Sequence, residues 1–83
     1  MAQIDINTIK RIYKDRNSVH TKVHTTFTVF EECGSKYVQF DTYGKSSREI
    51  PGKISQSIQL DRESALFMVR LLVEEFDITF NIN

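Results

Sequence analysis

The spacing of the apolar residues changes at Asp61. From Val23 to Leu60 they tend to recur at every second position, and from Ala65 to Phe76 at every third or fourth. A period of two fits a pleated strand with unlike faces, and a period near 3.6 fits a helix. A chain that switches once, and late, has its strands first and its helix last. The expected fold class is therefore α+β, an antiparallel sheet of about four strands followed by one C-terminal helix packed on one face. At 83 residues, without repeats, low-complexity segments or a linker, the chain reads as a single domain over residues 1–83.

The clearest strand is "KVHTTFTVFEE", Lys22 to Glu32, which is rich in β-branched and aromatic residues, with Val23, Thr25, Phe27 and Val29 at period two. Gly34 supplies a turn, and "KYVQFDTY" returns with Val38 and Phe40 on one face and Tyr37, Gln39, Asp41 and Tyr43 on the other. After a loop from Gly44 to Lys53, "ISQSIQL" sets Ile54, Gln56, Ile58 and Leu60 against Ser55, Ser57 and Gln59. The first 24 residues are ambiguous, since Ile4 and Ile6 alternate while Ile9, Ile12 and Tyr13 suit a helical turn. Strand is the expectation there.

Asp61 is a good N-cap, Glu63 favours the first turn, and Arg62 to Phe76 contains neither Gly nor Pro. Ala65, Leu66, Met68, Val69, Leu72, Val73 and Phe76 share one broad arc, expected to cover the sheet. Phe67 and Leu71 lie on a flank and form a second apolar patch, the expected interface of a homodimer. The other cover for that patch is "DITFNIN", whose alternation suits a short edge strand.

The 11 basic and 11 acidic residues cancel, which argues against binding driven by net charge. Their distribution is uneven. Residues 1–60 carry nine basic and six acidic side chains, and residues 61–83 carry two and five. The densest basic stretch, "KRIYKDRNSVHTK", opens with Lys10, Arg11 and Lys14 around Tyr13, a pattern suited to phosphate contact beside a stacking ring. The single cysteine, Cys33, allows no internal disulfide, and no apolar run nears the roughly 20 residues that cross a bilayer. A cytoplasmic protein without a membrane partner is expected.

Motifs for catalysis or metal binding fail on spacing. "GKSS" at Gly44 to Ser47 resembles the end of a phosphate-binding loop, but Gln39 stands where the first glycine belongs and a proline-containing loop follows instead of a helix. His20, His24 and Cys33 lack the spacing of a zinc site, and no serine or cysteine has a base and an orienting group in sight. Asp41 and Glu49 read as surface charge. No enzyme activity, cofactor or metal is expected.

A helix on one face of a sheet leaves the other face open. That face carries Tyr37, Gln39, Asp41, Tyr43, Ser55, Ser57 and Gln59, with Lys45, Arg48 and Lys53 at its margin. Rings for stacking, neutral groups for base edges and cations for phosphates are the ingredients of a single-stranded nucleic-acid platform. The contact residues expected are Tyr37, Tyr43, Lys45, Arg48, Lys53 and Gln59, with Lys10, Arg11 and Lys14 as auxiliary phosphate contacts.

The strand-then-helix order and "GKISQSIQLDRESALFMVRLL" resemble the small single-stranded-DNA-binding family of transcriptional positive cofactor four and its bacterial relatives. The matching positions are Gly52, Lys53, Ile54, Ile58, Leu60, Asp61 and Glu63, with Leu66 to Leu72 as the helix. The resemblance spans about two thirds of the chain and implies a homodimer that regulates transcription by binding single-stranded DNA. The sequence departs from it by the inserted Ser55 and Gln56, by having no tryptophan, and by fewer lysines on the binding face. "DTYGKSSREIPGKISQSIQLD" is also similar to a motif of short bacterial proteins, some bearing the label methionyl-tRNA formyltransferase. This chain is too short for that enzyme's two domains. Two further classes fit the same residues, a protein-interaction or inhibitory module working through Phe67 and Leu71, and a dimeric nucleotide-binding sponge.

Overall fold

The computed structural model describes residues 1–44 and 52–80. Five elements follow in order: β1 (Ala2–Gln3), β2 (Thr25–Glu32), β3 (Ser35–Tyr43), β4 (Ile54–Leu60) and α1 (Arg62–Phe76). The sheet has the order β1-β4-β3-β2. The α+β class holds, but the sheet is mixed, because β1 pairs with β4 in parallel, Ala2 opposite Ile58 and Gln3 opposite Gln59.

β2 and β3 form a hairpin closed by Cys33 and Gly34, with φ values of 52° and 80°. Positive φ at both central residues matches the right-handed twist of the strands, and glycine adopts it without a Cβ penalty. The turn fixes the register, placing Phe27 opposite Phe40 and Thr28 opposite Gln39. β2 starts at Thr25, three residues after the expected start. The last bond across to β3 is Tyr43 N–H to the His24 carbonyl, and earlier residues have no strand beside them to pair with.

The N-terminal strand is much shorter than expected. Asp5 interrupts it: its carboxylate accepts the Asn7 N–H at 2.9 Å, and its carbonyl accepts the Thr8 and Ile9 N–H groups, both at 3.1 Å. This local turn competes with the ladder and wins, as short polar side chains often do. Residues 10–24 then run without regular structure and are exposed throughout.

The helix forms where expected, for a slightly different reason. The Asp61 carboxylate accepts the Ser64 N–H at 2.9 Å while the Ser64 hydroxyl accepts the Asp61 N–H at 3.0 Å, so Ser64 completes a reciprocal cap. The helix ends on Asp77 in a left-handed conformation, and the Ile78 N–H donates to the Val73 carbonyl. Ile78–Phe80 form no edge strand, and the rest of that expected strand lies outside the described residues.

The expected roof over the sheet is not made within the chain. A single residue, Asp61, joins β4 to α1, and its backbone is extended (φ −93°, ψ −176°). Reversing the chain over its own sheet takes a longer connection, commonly two to six residues. The helix therefore approaches the sheet mainly at β4. Its first turn, at Ala65, shares a hollow of about 710 Å³ with Val38 and Leu60, and of the arc beyond Met68 and Val73 are half-buried while Leu66, Val69, Leu72 and Phe76 stay exposed, Val69 to 49% and Phe76 to 71%. On the sheet, Phe27, Val29, Phe40 and Ile58 are exposed as well. Among the described residues no apolar side chain is buried, and the buried ones are Asp41, Ser57 and Ser64.

The Ser64 backbone N–H, and then its hydroxyl, hold the Asp61 carboxyl below its ordinary pKa. A depressed folded-state pKa contributes stability that is present above the unfolded carboxylate pKa and is lost as pH falls through the folded one. Urea unfolding of Asp61→Asn against wild type, at neutral pH and again below the carboxylate range, should show the variant less stable at neutral pH and the gap closing in acid.

Candidate nucleic-acid interface

Pairing puts the polar residues of three strands on one side of the sheet. Gln39 faces Gln59 and Asp41 faces Ser57 across β3 and β4, while Tyr37 faces Phe30 and Asp41 faces Thr26 across β3 and β2. The expected polar face therefore exists, and β1 adds Gln3 opposite Gln59. One assignment changes. A register shift at Thr42 and Tyr43 pairs Tyr43 with Ile54, so Ile54 joins Gln39, Ser57 and Gln59 around a hollow of about 340 Å³ instead of the apolar face. Ser55 has no partner in the β3–β4 register, so it does not take the place expected for it beside Ser57.

Down the middle runs a chain of hydrogen bonds that all point one way. The Gln3 amide donates to the Gln59 carbonyl oxygen (3.4 Å), Gln59 to Gln39 (2.7 Å), and Gln39 to the Asp41 carboxylate (2.9 Å). Ser57 donates to the same carboxylate oxygen. Dipoles aligned head to tail polarise one another, and an anion is the natural terminus for a row of donors. Asp41 is only 5% exposed, so the carboxylate that counted against anion binding is engaged within the sheet. Among the described residues each of the three amides uses one of its two N–H donors, which leaves a donor on each for another acceptor.

Along β3, rings flank the Gln39 and Asp41 segment of this row. Tyr37 stacks on Phe30 with centroids 5.5 Å apart and 25° between planes. Six residues along β3, or roughly 20 Å at strand rise, Tyr43 meets the His24 ring edge-on at 5.3 Å and shares a hydrogen bond with the Thr26 hydroxyl at 3.1 Å. Sequence reasoning missed Phe30, Thr26 and His24. The signal for Phe30 and Thr26 was present: once Phe27 and Val29 take the apolar face of β2, period two puts Thr26, Thr28 and Phe30 on the other.

The structure gathers Tyr37, Tyr43 and Gln59 on this face. Lys53 lies at its margin just before β4, exposed, its carbonyl 3.5 Å from the Gly44 N–H. Lys45 and Arg48 lie outside the described residues. Lys10 and Arg11 sit elsewhere, against the helix. With Ile9 they line a hollow of about 420 Å³ shared with Phe67, Leu71 and Glu75. Arg11 lies 3.9 Å from the Glu75 carboxylate and 5.5 Å from the Tyr13 ring. The N-terminal segment thus flanks the Phe67 and Leu71 patch, where DITFNIN or a second chain was expected, and both side chains remain exposed. Lys14 belongs to the exposed 10–24 segment.

Among the described residues no three His, Cys, Asp or Glu side chains gather as metal ligands, and no helix is long and apolar enough to cross a membrane. No family model, curated protein or solved structure matches the chain.

Replacing Asp41 by Ala removes the acceptor of two donors at a buried position, and buried donors left unpaired cost about 1 to 3 kcal/mol. Denaturant titration should show a loss of that size for Asp41→Ala and a smaller one for Asp41→Asn, which keeps an acceptor oxygen.

Proposed function

We propose that the polar face of the sheet binds single-stranded nucleic acid without catalysing a reaction, in a regulatory role such as control of transcription. The observation that carries this reading is the amide row that crosses the sheet from Gln3 to Gln39 and Asp41, with the Phe30–Tyr37 pair and Tyr43 on either side of its β3 members. Stacking surfaces roughly 20 Å apart along a strand suit bases a few nucleotides apart on one single strand, because every base has a π-face, and the amide donors between them suit base edges. Lys53 supplies a cation at the margin, and Lys45 and Arg48 belong to the same loop in sequence. Asp41, nearly buried and hydrogen-bonded by Gln39 and Ser57, does not present a bare carboxylate to the ligand. The resemblance to the positive cofactor four family points the same way, and the single cysteine suits a reducing, cytoplasmic setting.

A second reading has one observation in its favour. The bare apolar arc of the helix suits an interaction module that captures or inhibits a larger protein, with Phe67 and Leu71 at its edge.

Fluorescence anisotropy with a labelled oligonucleotide, at low and at moderate salt, separates the two. On the nucleic-acid reading the oligonucleotide binds, and Tyr37→Ala and Tyr43→Ala each weaken it by the worth of one stacked base, about 1 to 3 kcal/mol. Lys53→Ala flattens the salt dependence by roughly one phosphate contact, about 0.7 in logarithmic slope. Absence of binding at both salt concentrations removes the reading.

A further inference from the structure

The exposed surface of the chain is 8027 Å². A compact protein of 9.7 kDa exposes about 5100 Å². The radius of gyration, 15.3 Å, likewise exceeds the roughly 12 Å of a compact chain of this length. The difference, about 2900 Å² per chain, includes the exposed segment 10–24 as well as the bare apolar surface, and it is large enough to hold the per-partner share of an obligate dimer, whose interfaces total about 2,000 to 5,000 Å².

Two bare apolar surfaces contribute to this excess, and they match. The sheet offers Phe27, Val29, Phe40 and Ile58, and the helix offers Leu66, Val69, Leu72 and Phe76. A helix of 15 residues is about 22 Å long. Strands of seven to nine residues span about 23 to 31 Å, so one helix runs the length of one sheet. The one-residue joint at Asp61 keeps a helix from folding back on its own sheet, and it imposes no such limit on the sheet of another chain.

We propose that the apolar layer is completed in trans: in a twofold dimer, the helix of each copy packs on the Phe27–Phe40 face of the other. Twofold symmetry satisfies both surfaces at once and leaves none over, whereas an unrelated partner has to match a sheet and a helix separately. The inference does not depend on what the polar face binds.

The test is an isotope-filtered NOE experiment on an equimolar mixture of labelled and unlabelled protein, unfolded and refolded together. Methyl protons of Leu66, Val69 or Leu72 in one copy should give NOEs to ring protons of Phe27 or Phe40 in the other. Sedimentation should return twice the chain mass for wild type and the single-chain mass for Val69→Asp. Helix-to-sheet NOEs confined to one chain, no such NOE between copies, a monomeric wild type, or a Val69→Asp that remains dimeric would each overturn the proposal. Oligonucleotide is absent from every arm, so the outcome is separate from that of the nucleic-acid reading.

Discussion

One residue governs how this chain places its apolar surface. Asp61 ends β4, caps α1 and stays extended between them, so strand and helix follow each other without a turn that would lay one over the other. The hydrophobic effect is the dominant favourable term in folding, and a helix that cannot reach its own sheet forgoes most of it. The consequence is visible in what is buried: an aspartate and two serines, and no apolar side chain among the described residues. Burying 1000 Å² of apolar surface contributes about 25 kcal/mol before ordering costs are subtracted, more than the whole net stability of a typical domain, about 5 to 15 kcal/mol. In the proposed dimer a second copy supplies that surface through the same two faces that one chain leaves bare.

The two sides of the sheet then have different tasks. The apolar side, with Phe27, Val29, Phe40 and Ile58, is bare in the single chain and is the side that the proposed dimer buries. The polar side is organised within the chain, because Gln3, Gln59, Gln39 and Asp41 form a directed row that ties β1, β4 and β3 together through side chains as well as backbone. Burial of the other face in the proposed dimer would leave this row and its flanking rings outward, so the proposed association and the proposed ligand would not compete for the same residues. Local order on a face that needs no partner is what a preorganised binding surface requires.

Much of this was legible in the sequence wherever a local rule acts alone. The bounds of β4 and α1 follow from periodicity and from Asp61 as a cap, and period two assigns Tyr37, Gln39, Asp41, Tyr43, Ser57 and Gln59 to one side. Three features were not legible, each because it rests on contacts far apart in the chain or on counting a connection. The parallel pairing of Ala2–Gln3 with β4 joins residues 56 apart, and no pattern two residues long can announce it. The register shift at Thr42 and Tyr43 moves Ile54 across the sheet although its own alternation is intact. The expectation that the helix roofs its own sheet read the apolar arc correctly and overlooked that one residue is too short a hinge.

The central claim is that folding and association are one event. Thermal or urea unfolding followed over a hundredfold range of protein concentration addresses it without any variant or ligand. If the core is shared between two copies, the midpoint rises with concentration, with a shift equivalent to about 2.8 kcal/mol over that range, and the folded species has twice the 9.7 kDa chain mass. A midpoint independent of concentration, with a folded species of single-chain mass, contradicts the account.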